Sequence, residues 1–201
     1  MVGLWIYVFS AVMACWFVFA AAFLFRKRPP KSAETKRAPA AVAGLALQSI
    51  AYSVVWMGRA DYKKPRIPGG FWSSLALGLC TVILAVVSVW MVMAAVRRLG
   101  KQWALKARII EGHELVTDGP YRFVRHPIYS GMFGMLAATG LSMSSWPALL
   151  AGVVVFWAGT VLRVKQEEIL LKQVFGDKFE QYAARTGSLF PMLSAGRKAG
   201  I

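Results

Sequence analysis

The fold is decided by one long stretch without a charged residue, positions 127 to 162, which reads PIYSGMFGMLAATGLSMSSWPALLAGVVVFWAGTVL. As a single helix this stretch would be about 54 Å long, whereas the hydrocarbon core of a bilayer is only about 30 Å thick. Small residues and a proline interrupt the stretch near its middle, at Gly140, Ser142, Ser144, Ser145 and Pro147. It therefore predicts a tight hairpin of two transmembrane helices.

Three further charge-free runs precede this hairpin, at positions 1–25, 38–58 and 71–96. Each is close to the ~20 apolar residues that one membrane-spanning helix requires. The first run has no basic start and is longer than the apolar core of a signal peptide, so we interpret it as a span. The composition agrees, because only 16% of residues are charged, against about a quarter in soluble domains. The sequence predicts an all-α, polytopic membrane protein with five transmembrane helices.

The basic residues predict the orientation of the chain. An N-terminus outside the cell places 20 of the 24 Lys and Arg residues in the cytoplasm, as the positive-inside rule favours, although the loop that carries Lys63 and Lys64 opposes it. The net charge of +15 then reflects topology and contact with anionic membrane lipids rather than nucleic-acid binding. We expect an integral, multi-pass protein, in the inner membrane if the cell is bacterial, with an active site that faces the cytoplasm.

The chain divides into two parts on this interpretation. Positions 1–96 hold three transmembrane helices, and positions 97–201 hold a cytosolic segment, the hairpin and a C-terminal helix. The basic positions 97–108 suggest an interfacial helix or an extension of the third span. Positions 164–182 have apolar residues at helical spacing and predict an amphipathic helix that Gly176 interrupts.

The four His and Cys residues offer little for a metal or a disulfide. Cys15 and Cys80 both lie inside predicted spans, where small apolar packing is the simpler role. The two histidines are not spaced like zinc ligands. We expect no disulfide and no metal site.

Polar and aromatic residues are concentrated in positions 111–131, EGHELVTDGPYRFVRHPIYSG. A turn is expected at Asp118-Gly119-Pro120, and Pro127 suits the first position of a helix. Arg125 and His126 would then lie at a helix N-terminus, whose free N–H groups favour an anionic group. Each also has a purely structural interpretation, since an arginine can snorkel and a histidine can cap a helix.

A second polar cluster, RVKQEE, occupies positions 163–168. Arg163 and Glu167 are four residues apart and share one face of a helix. They could form only a weak surface ion pair. The hairpin, however, would bring them beside His126, and two polar clusters at the mouth of an apolar bundle form a pocket. Composition and spacing name neither its ligand nor its reaction.

Three motifs carry a family resemblance: HELVTDGPY at 113–121, RHPIYSG at 125–131, and the pair Glu167-Glu168. Over about the last 90 residues the chain resembles the isoprenylcysteine carboxyl methyltransferase family and its phospholipid methyltransferase relatives. The resemblance implies an integral membrane methyltransferase that uses S-adenosylmethionine without a Rossmann domain. Consistent with this, the sequence has no G-x-G-x-x-G motif.

The resemblance also implies residue roles. Arg163 corresponds to the arginine that holds the substrate carboxylate, and Arg163 and Glu167 are implied as catalytic residues. Aromatic faces and carboxylates suit a sulfonium cation, and methyl transfer requires mainly alignment and exclusion of water. The implied cofactor contacts are His113, Glu114, Leu115, Val116, Tyr121, His126, Pro127, Ile128, Tyr129 and Glu167.

The methyl acceptor stays open at this point. Arg163 favours a carboxylate on a lipophilic small molecule or a prenylated substrate. An amine- or thiol-directed lipid methyltransferase is the alternative, as is a non-catalytic membrane scaffold that retains the fold. A transporter would be expected to carry ionisable residues within its spans, and the apolar runs hold none. The oligomeric state is not indicated.

Overall fold

The computed structural model describes residues 2–24, 34–37, 41–60, 70–103, 108–110 and 114–192. Within these ranges the chain forms six α-helices, two short strands and two short 3₁₀ turns, Gly100–Gln102 and Gly119–Arg122. In chain order the helices and strands are α1 (Val2–Leu24), β1 (Glu34–Arg37), α2 (Ala41–Met57), α3 (Gly70–Leu99), β2 (Arg108–Ile110), α4 (Pro127–Met143), α5 (Trp146–Phe175) and α6 (Asp177–Ala183).

Each charge-free run of the sequence forms the helix or helices predicted for it. The longest run is a hairpin of α4 and α5, broken at Ser144 and Ser145 as its small residues indicated. The hairpin turn is tied to the end of α2, because the Ser145 N–H donates to the Gly58 carbonyl at 2.7 Å. The Ala60 N–H donates to the Met143 carbonyl at 2.9 Å.

Three of the described helices, α1, α3 and α5, are long and apolar enough to cross a membrane. Helices α2 and α4 have 17 residues each, about 26 Å at the α-helical rise, which is near the lower limit for a span. Large apolar side chains face outward from these helices, for example Met57 (83% exposed), Trp72 (77%) and Phe17 (73%). Soluble monomers rarely expose so much apolar surface, which identifies a membrane protein.

Small residues let the helices pack closely in antiparallel pairs. A Cβ at Gly159 of α5 would lie 2.6 Å from the Gly44 carbonyl oxygen of α2, so the two backbones touch there. Further along the same pair, a Cβ at Gly152 would lie 2.5 Å from Val55. Helices α3 and α4 meet in the same way, where a Cβ at Gly131 would collide with Val92. Close backbone approach at glycine is a common mode of helix association in membranes.

These pairings bring the end of α3, the starts of α2 and α4, and the polar cluster of α5 to one end of the bundle. The last turn of α3 carries Arg98, which forms an ion pair with Asp118 just before α4. The start of α2 contacts the polar cluster of α5, since Gly44 lies against Arg163. The start of α4 contacts the same part of α5 through His126 and Glu168. Both polar clusters therefore lie at this end of the protein.

Two local predictions are corrected and a third is confirmed. The helical extension of α3 ends at Gln102, and Arg108–Ile110 pairs as an antiparallel strand with Glu34–Arg37, so no interfacial helix reaches position 108. The fold class remains all-α, because these two strands have only four and three residues. The tail helix predicted at positions 164–182 does not begin as a separate helix, because α5 continues through its first part and ends at Phe175. The interruption at Gly176 is confirmed: its φ of +50° ends α5, and α6 follows.

Candidate functional site

The start of α4 is bound by a later segment of the chain. Pro127 occupies the first helical position, as predicted. The backbone N–H groups of Arg125 and His126 donate to the carbonyls of Gly187 and Ser188, at 2.8 and 3.0 Å. These two amides are therefore already bound within the protein.

Arg125 links α5 to the same C-terminal segment. Its Nε donates to Oε1 of Glu168 at 2.9 Å, and its Nη2 lies 2.9 Å from that oxygen. Its Nη1 donates to the carbonyls of Ala183, at 3.1 Å, and Thr186. The Arg125 guanidinium thus binds one carboxylate and two carbonyl oxygens, and it holds the C-terminal segment against α5.

His126 lies between the two carboxylates of α5. Its Nε2 is 3.1 Å from Oε1 of Glu168, and its Nδ1 is 3.5 Å from Oε2 of Glu167. Burial on its own would lower the pKa of His126, but hydrogen bonds to Glu167 and Glu168 and their negative charges outweigh it and raise the pKa above the ordinary value. The ring is therefore held in its charged form over a wider pH range than a free histidine.

Tyr129 connects the carboxylates to Arg163. Its hydroxyl donates to Glu167, one turn into α4 from His126. Its ring stacks with the imidazole of His126 at 5.8 Å between ring centres and 18° between planes. The guanidinium carbon of Arg163 lies 4.9 Å from the ring centre of Tyr129, a cation–π distance.

Arg163 is buried deep in the site, at 4% exposure. Its Nη1 donates to Oε1 of Gln48 on α2, at 3.0 Å. The sequence reasoning missed Gln48. The signal was present, since Gln48 is the one side-chain amide in the apolar run 38–58, and polar side chains inside a span usually have a specific partner.

The remaining predicted cofactor residues lie in different surroundings. Tyr121 is buried, and its carbonyl accepts a hydrogen bond from the Tyr182 hydroxyl at 2.6 Å, while burial raises the pKa of Tyr182 to about 12. Ile128 packs toward the core between α1, α3 and α4. The Glu114 N–H donates to Oε1 of Gln102 at 2.7 Å, beyond the end of α3.

Leu115 and Val116 are half-buried, Pro127 is buried at the start of α4, and His113 lies outside the described residues. The structure therefore brings together His126, Tyr129, Arg163 and Glu167.

The accessible polar groups of the site are its two carboxylates. The side chains of Glu167 and Glu168 are 25% and 26% exposed, whereas His126 and Arg163 are almost completely buried. Carboxylates in this setting accept hydrogen bonds from hydroxyl or amino groups and attract a cation. The buried guanidinium of Arg163, next to the Tyr129 ring, supplies a positive charge to the site.

Comparisons with known proteins match the chain to one protein family. The phospholipid methyltransferase family model matches residues 75–178, which run from the start of α3 into α6. Protein-S-isoprenylcysteine O-methyltransferase B of Arabidopsis thaliana is 37% identical over 90 residues, 45% of this chain and 46% of the relative. The protein-S-isoprenylcysteine O-methyltransferase of Schizosaccharomyces pombe is 37% identical over 81 residues, 40% of this chain and 34% of the relative.

A bacterial protein is similar as well. The nickel-cobalt-cadmium resistance protein NccN of Alcaligenes xylosoxydans xylosoxydans is 35% identical over 115 residues, 55% of this chain and 52% of the relative. Its name states a resistance and no reaction. These three matches span between about a third and about half of the relatives' own lengths. The family model covers just over half of the chain and includes every contact among His126, Tyr129, Arg163 and Glu167. The chain therefore belongs to the phospholipid methyltransferase family, as its sequence motifs indicated.

Proposed function

We propose that the protein is an integral membrane methyltransferase that transfers a methyl group from S-adenosylmethionine to a carboxylate of a lipophilic acceptor. The observation that carries this proposal is the convergence of His126, Tyr129, Arg163 and Glu167 from two helices at one end of an apolar bundle. The family membership and the names of the relatives agree with it.

The residues at the site suit S-adenosylmethionine. The bound cofactor would supply a methyl group already activated by a sulfonium cation. Glu167 and Glu168 offer carboxylate oxygens at an accessible surface, and Tyr129 offers an aromatic face, so hydroxyl groups and a positive charge both find partners. We assign cofactor contact to His126, Tyr129 and Glu167, with further contacts along the segment from His113 to Tyr121 and at Pro127 and Ile128.

The protein's own contribution to the reaction is alignment. No residue need act as a nucleophile, and a carboxylate acceptor requires no general base. His126 and Tyr129 hold Glu167 in one orientation through contacts to both of its oxygens. Arg163 provides a planar guanidinium that can bind an acceptor carboxylate through two hydrogen bonds. Burial of these groups excludes water from the reacting atoms.

The proposal includes five membrane crossings, by α1 to α5, with the N-terminus outside. Residues 97–201 then form the catalytic half, and the site faces the cytoplasm. The antiparallel packing of α2 on α5 and of α3 on α4 supports this arrangement, as does the excess of basic residues in the segments that would be cytoplasmic. A prenylated or other lipophilic acceptor would enter from the membrane.

Cofactor binding tests the first part of the proposal. Isothermal calorimetry on the purified protein should show S-adenosylmethionine binding, and Glu167→Gln should weaken it by roughly 10- to 100-fold, as expected for loss of a hydrogen bond to a charged group. Glu180→Gln is the matched control, because Glu180 on α6 is an exposed carboxylate paired with Lys172. Equal affinity in wild type, Glu167→Gln and Glu180→Gln would contradict the assigned site.

A further inference from the structure

A buried series of hydrogen bonds crosses the interface between α2 and α5 and includes Arg163, the residue proposed to bind the methyl acceptor. Gln48 on α2 is 1% exposed and is the one side-chain amide of that helix. Its Oε1 accepts from Nη1 of Arg163 at 3.0 Å, and its Nε2 donates to Oγ1 of Thr160 at 2.9 Å. Thr160 lies three residues before Arg163 on α5. Both ends of one amide are thus bound by the same neighbouring helix.

The two contacts fix how the amide is turned. A guanidinium only donates hydrogen bonds, so the group facing Arg163 is the amide oxygen, and the amide nitrogen faces the Thr160 hydroxyl. A threonine hydroxyl can accept from that nitrogen. The arrangement therefore has one consistent hydrogen-bond pattern, in which Thr160 orients Gln48 and Gln48 orients Arg163.

The backbone of α2 also makes room for the arginine. A Cβ at Gly44 would lie 2.5 Å from Cγ of Arg163, so the arginine stem passes where any other residue would place a side chain. Gly44 and Gln48 are four residues apart and lie on the same face of α2. This face holds the Arg163 stem at one turn and its guanidinium at the next. The guanidinium is thereby kept 4.9 Å from the centre of the Tyr129 ring.

We propose that Gln48 is a positioning residue for methyl transfer, which acts by holding the guanidinium of Arg163 in the orientation that binds the acceptor carboxylate. The inference rests on the proposed function, because it assigns Gln48 a role in that reaction. An arginine has four flexible side-chain bonds, and a misplacement of about 1 Å at a reacting group can cost about a hundredfold in rate. A contact that fixes one guanidinium nitrogen is therefore able to control acceptor use without touching the acceptor.

The test uses the full-length protein in detergent, with S-adenosylmethionine and N-acetyl-S-farnesylcysteine, a lipophilic molecule with one free carboxylate. Gln48→Met removes the amide at similar volume. We expect it to weaken equilibrium binding of the farnesylated acceptor, measured without cofactor, and to lower kcat/KM for the acceptor by about tenfold or more. The affinity for S-adenosylmethionine and the melting temperature should stay close to wild type.

Two further variants separate positioning from folding. Gln48→Glu keeps an oxygen that accepts from Arg163 and should restore most acceptor binding. Thr160→Val leaves Gln48 in place but removes the partner of its amide nitrogen, and it should weaken acceptor binding in the same direction by less. Ser49→Ala is the control, since Ser49 is an exposed neighbour whose hydroxyl donates within its own helix, to the Leu45 carbonyl.

Unchanged acceptor binding and kcat/KM in Gln48→Met would overturn the inference. So would a parallel loss of acceptor binding, cofactor binding and melting temperature in Gln48→Met together with wild-type behaviour of Thr160→Val, because that pattern describes a packing residue. If the wild-type protein binds S-adenosylmethionine yet methylates no carboxylate, the proposed acceptor class fails instead, and this result is visible before any variant is made.

Discussion

His126 is the residue whose ionisation is tied most directly to folding. Its imidazole contacts Glu168 at 3.1 Å and Glu167 at 3.5 Å, and its pKa in the folded protein is raised above the ordinary value of about 6.5. A raised folded-state pKa means that the folded state binds the proton more tightly than the unfolded state. The contribution of charged His126 to the folding stability is therefore fully present below about pH 6.5. It is lost as the pH rises through the pKa of His126 in the folded protein.

We predict that the melting temperature of the detergent-solubilised protein falls as the pH is raised from about 6.5 to above the pKa of folded His126. His126→Gln should flatten this part of the profile, because it removes the titrating ring. His113→Gln is the control for the other histidine of the chain and should keep the wild-type slope. A profile with the same slope in His126→Gln as in wild type would show that His126 does not carry the effect.

At the residue scale, the sequence named a group of residues that the structure brings together, but it missed one of their contacts. The motifs contain His126, Tyr129 and Glu167, the family resemblance added Arg163, and these four lie close together. Helical spacing also placed Arg163 and Glu167 on one face. The sequence could not find the bond from Arg163 to Gln48, because the partners are 115 positions apart and their contact depends on how α2 and α5 cross. Long-range helix packing of this kind leaves no periodic signal in either segment.

Among the elements, the segment from α6 to Phe190 has the least obvious role in the sequence and a clear one in the structure. Its Gly187 and Ser188 carbonyls cap the start of α4, and the Ser130 hydroxyl donates to the Leu189 carbonyl at 2.6 Å. The ring of Phe190 stacks on Trp157 of α5, with 6.0 Å between ring centres. This segment therefore packs across the α4–α5 hairpin, next to the site.

Arg125 holds this segment in place, so we predict that Arg125→Ala releases it. The side chain is 13% exposed and binds Glu168 and the carbonyls of Ala183 and Thr186. Loss of a largely buried charged partner costs about 3–5 kcal/mol of folding free energy. Hydrogen exchange should become faster at residues 183–190 while the middle of α3 stays protected.

Arg185→Ala is the matched control for this element, because Arg185 lies on the same segment and its exposed side chain donates locally, from Nε to the Gln181 carbonyl at 3.1 Å. It should leave exchange at 183–190 as it is in wild type. Unchanged exchange in Arg125→Ala would mean that the backbone bonds to Arg125 and His126 are sufficient to hold the segment.

The helices themselves followed from the sequence for simple physical reasons. Charge-free runs of span length, a proline at the start of α4 and Gly176 at the end of α5 marked most helix limits within a few residues. The pairing of strand Glu34–Arg37 with strand Arg108–Ile110 could not be predicted from the sequence. Neither strand alternates polar and apolar residues, and the two strands are distant in the chain. The continuity of α5 through positions 163–175 was also missed, since the change from apolar to charged residues suggested a new element.

For the molecule as a whole, the charge distribution predicts the orientation in the membrane. The two polar clusters lie at the end of the bundle where α2 and α4 begin and α3 ends, and the sequence before α2 and after α3 is rich in Lys and Arg. With an N-terminus outside, a cysteine at position 113 should react with a membrane-impermeant maleimide only from the cytoplasmic side, and one at position 64 only from outside. Cys15→Ala and Cys80→Ala provide the unlabelled background. The opposite labelling pattern would invert the topology and place the site outside the cell.

The most direct measurement of the central claim is transfer of an isotopically labelled methyl group from S-adenosylmethionine to N-acetyl-S-farnesylcysteine by the purified protein. The proposed function predicts a product whose label is released by mild base as methanol, as from a carboxyl methyl ester. It also predicts that Arg163→Lys, which keeps the charge but loses the planar fork, lowers this transfer by about tenfold or more with little change in cofactor affinity. Undiminished transfer in Arg163→Lys and Arg163→Ala, or label found only in base-stable form on an amine or thiol lipid, would contradict the claim that this site methylates a carboxylate.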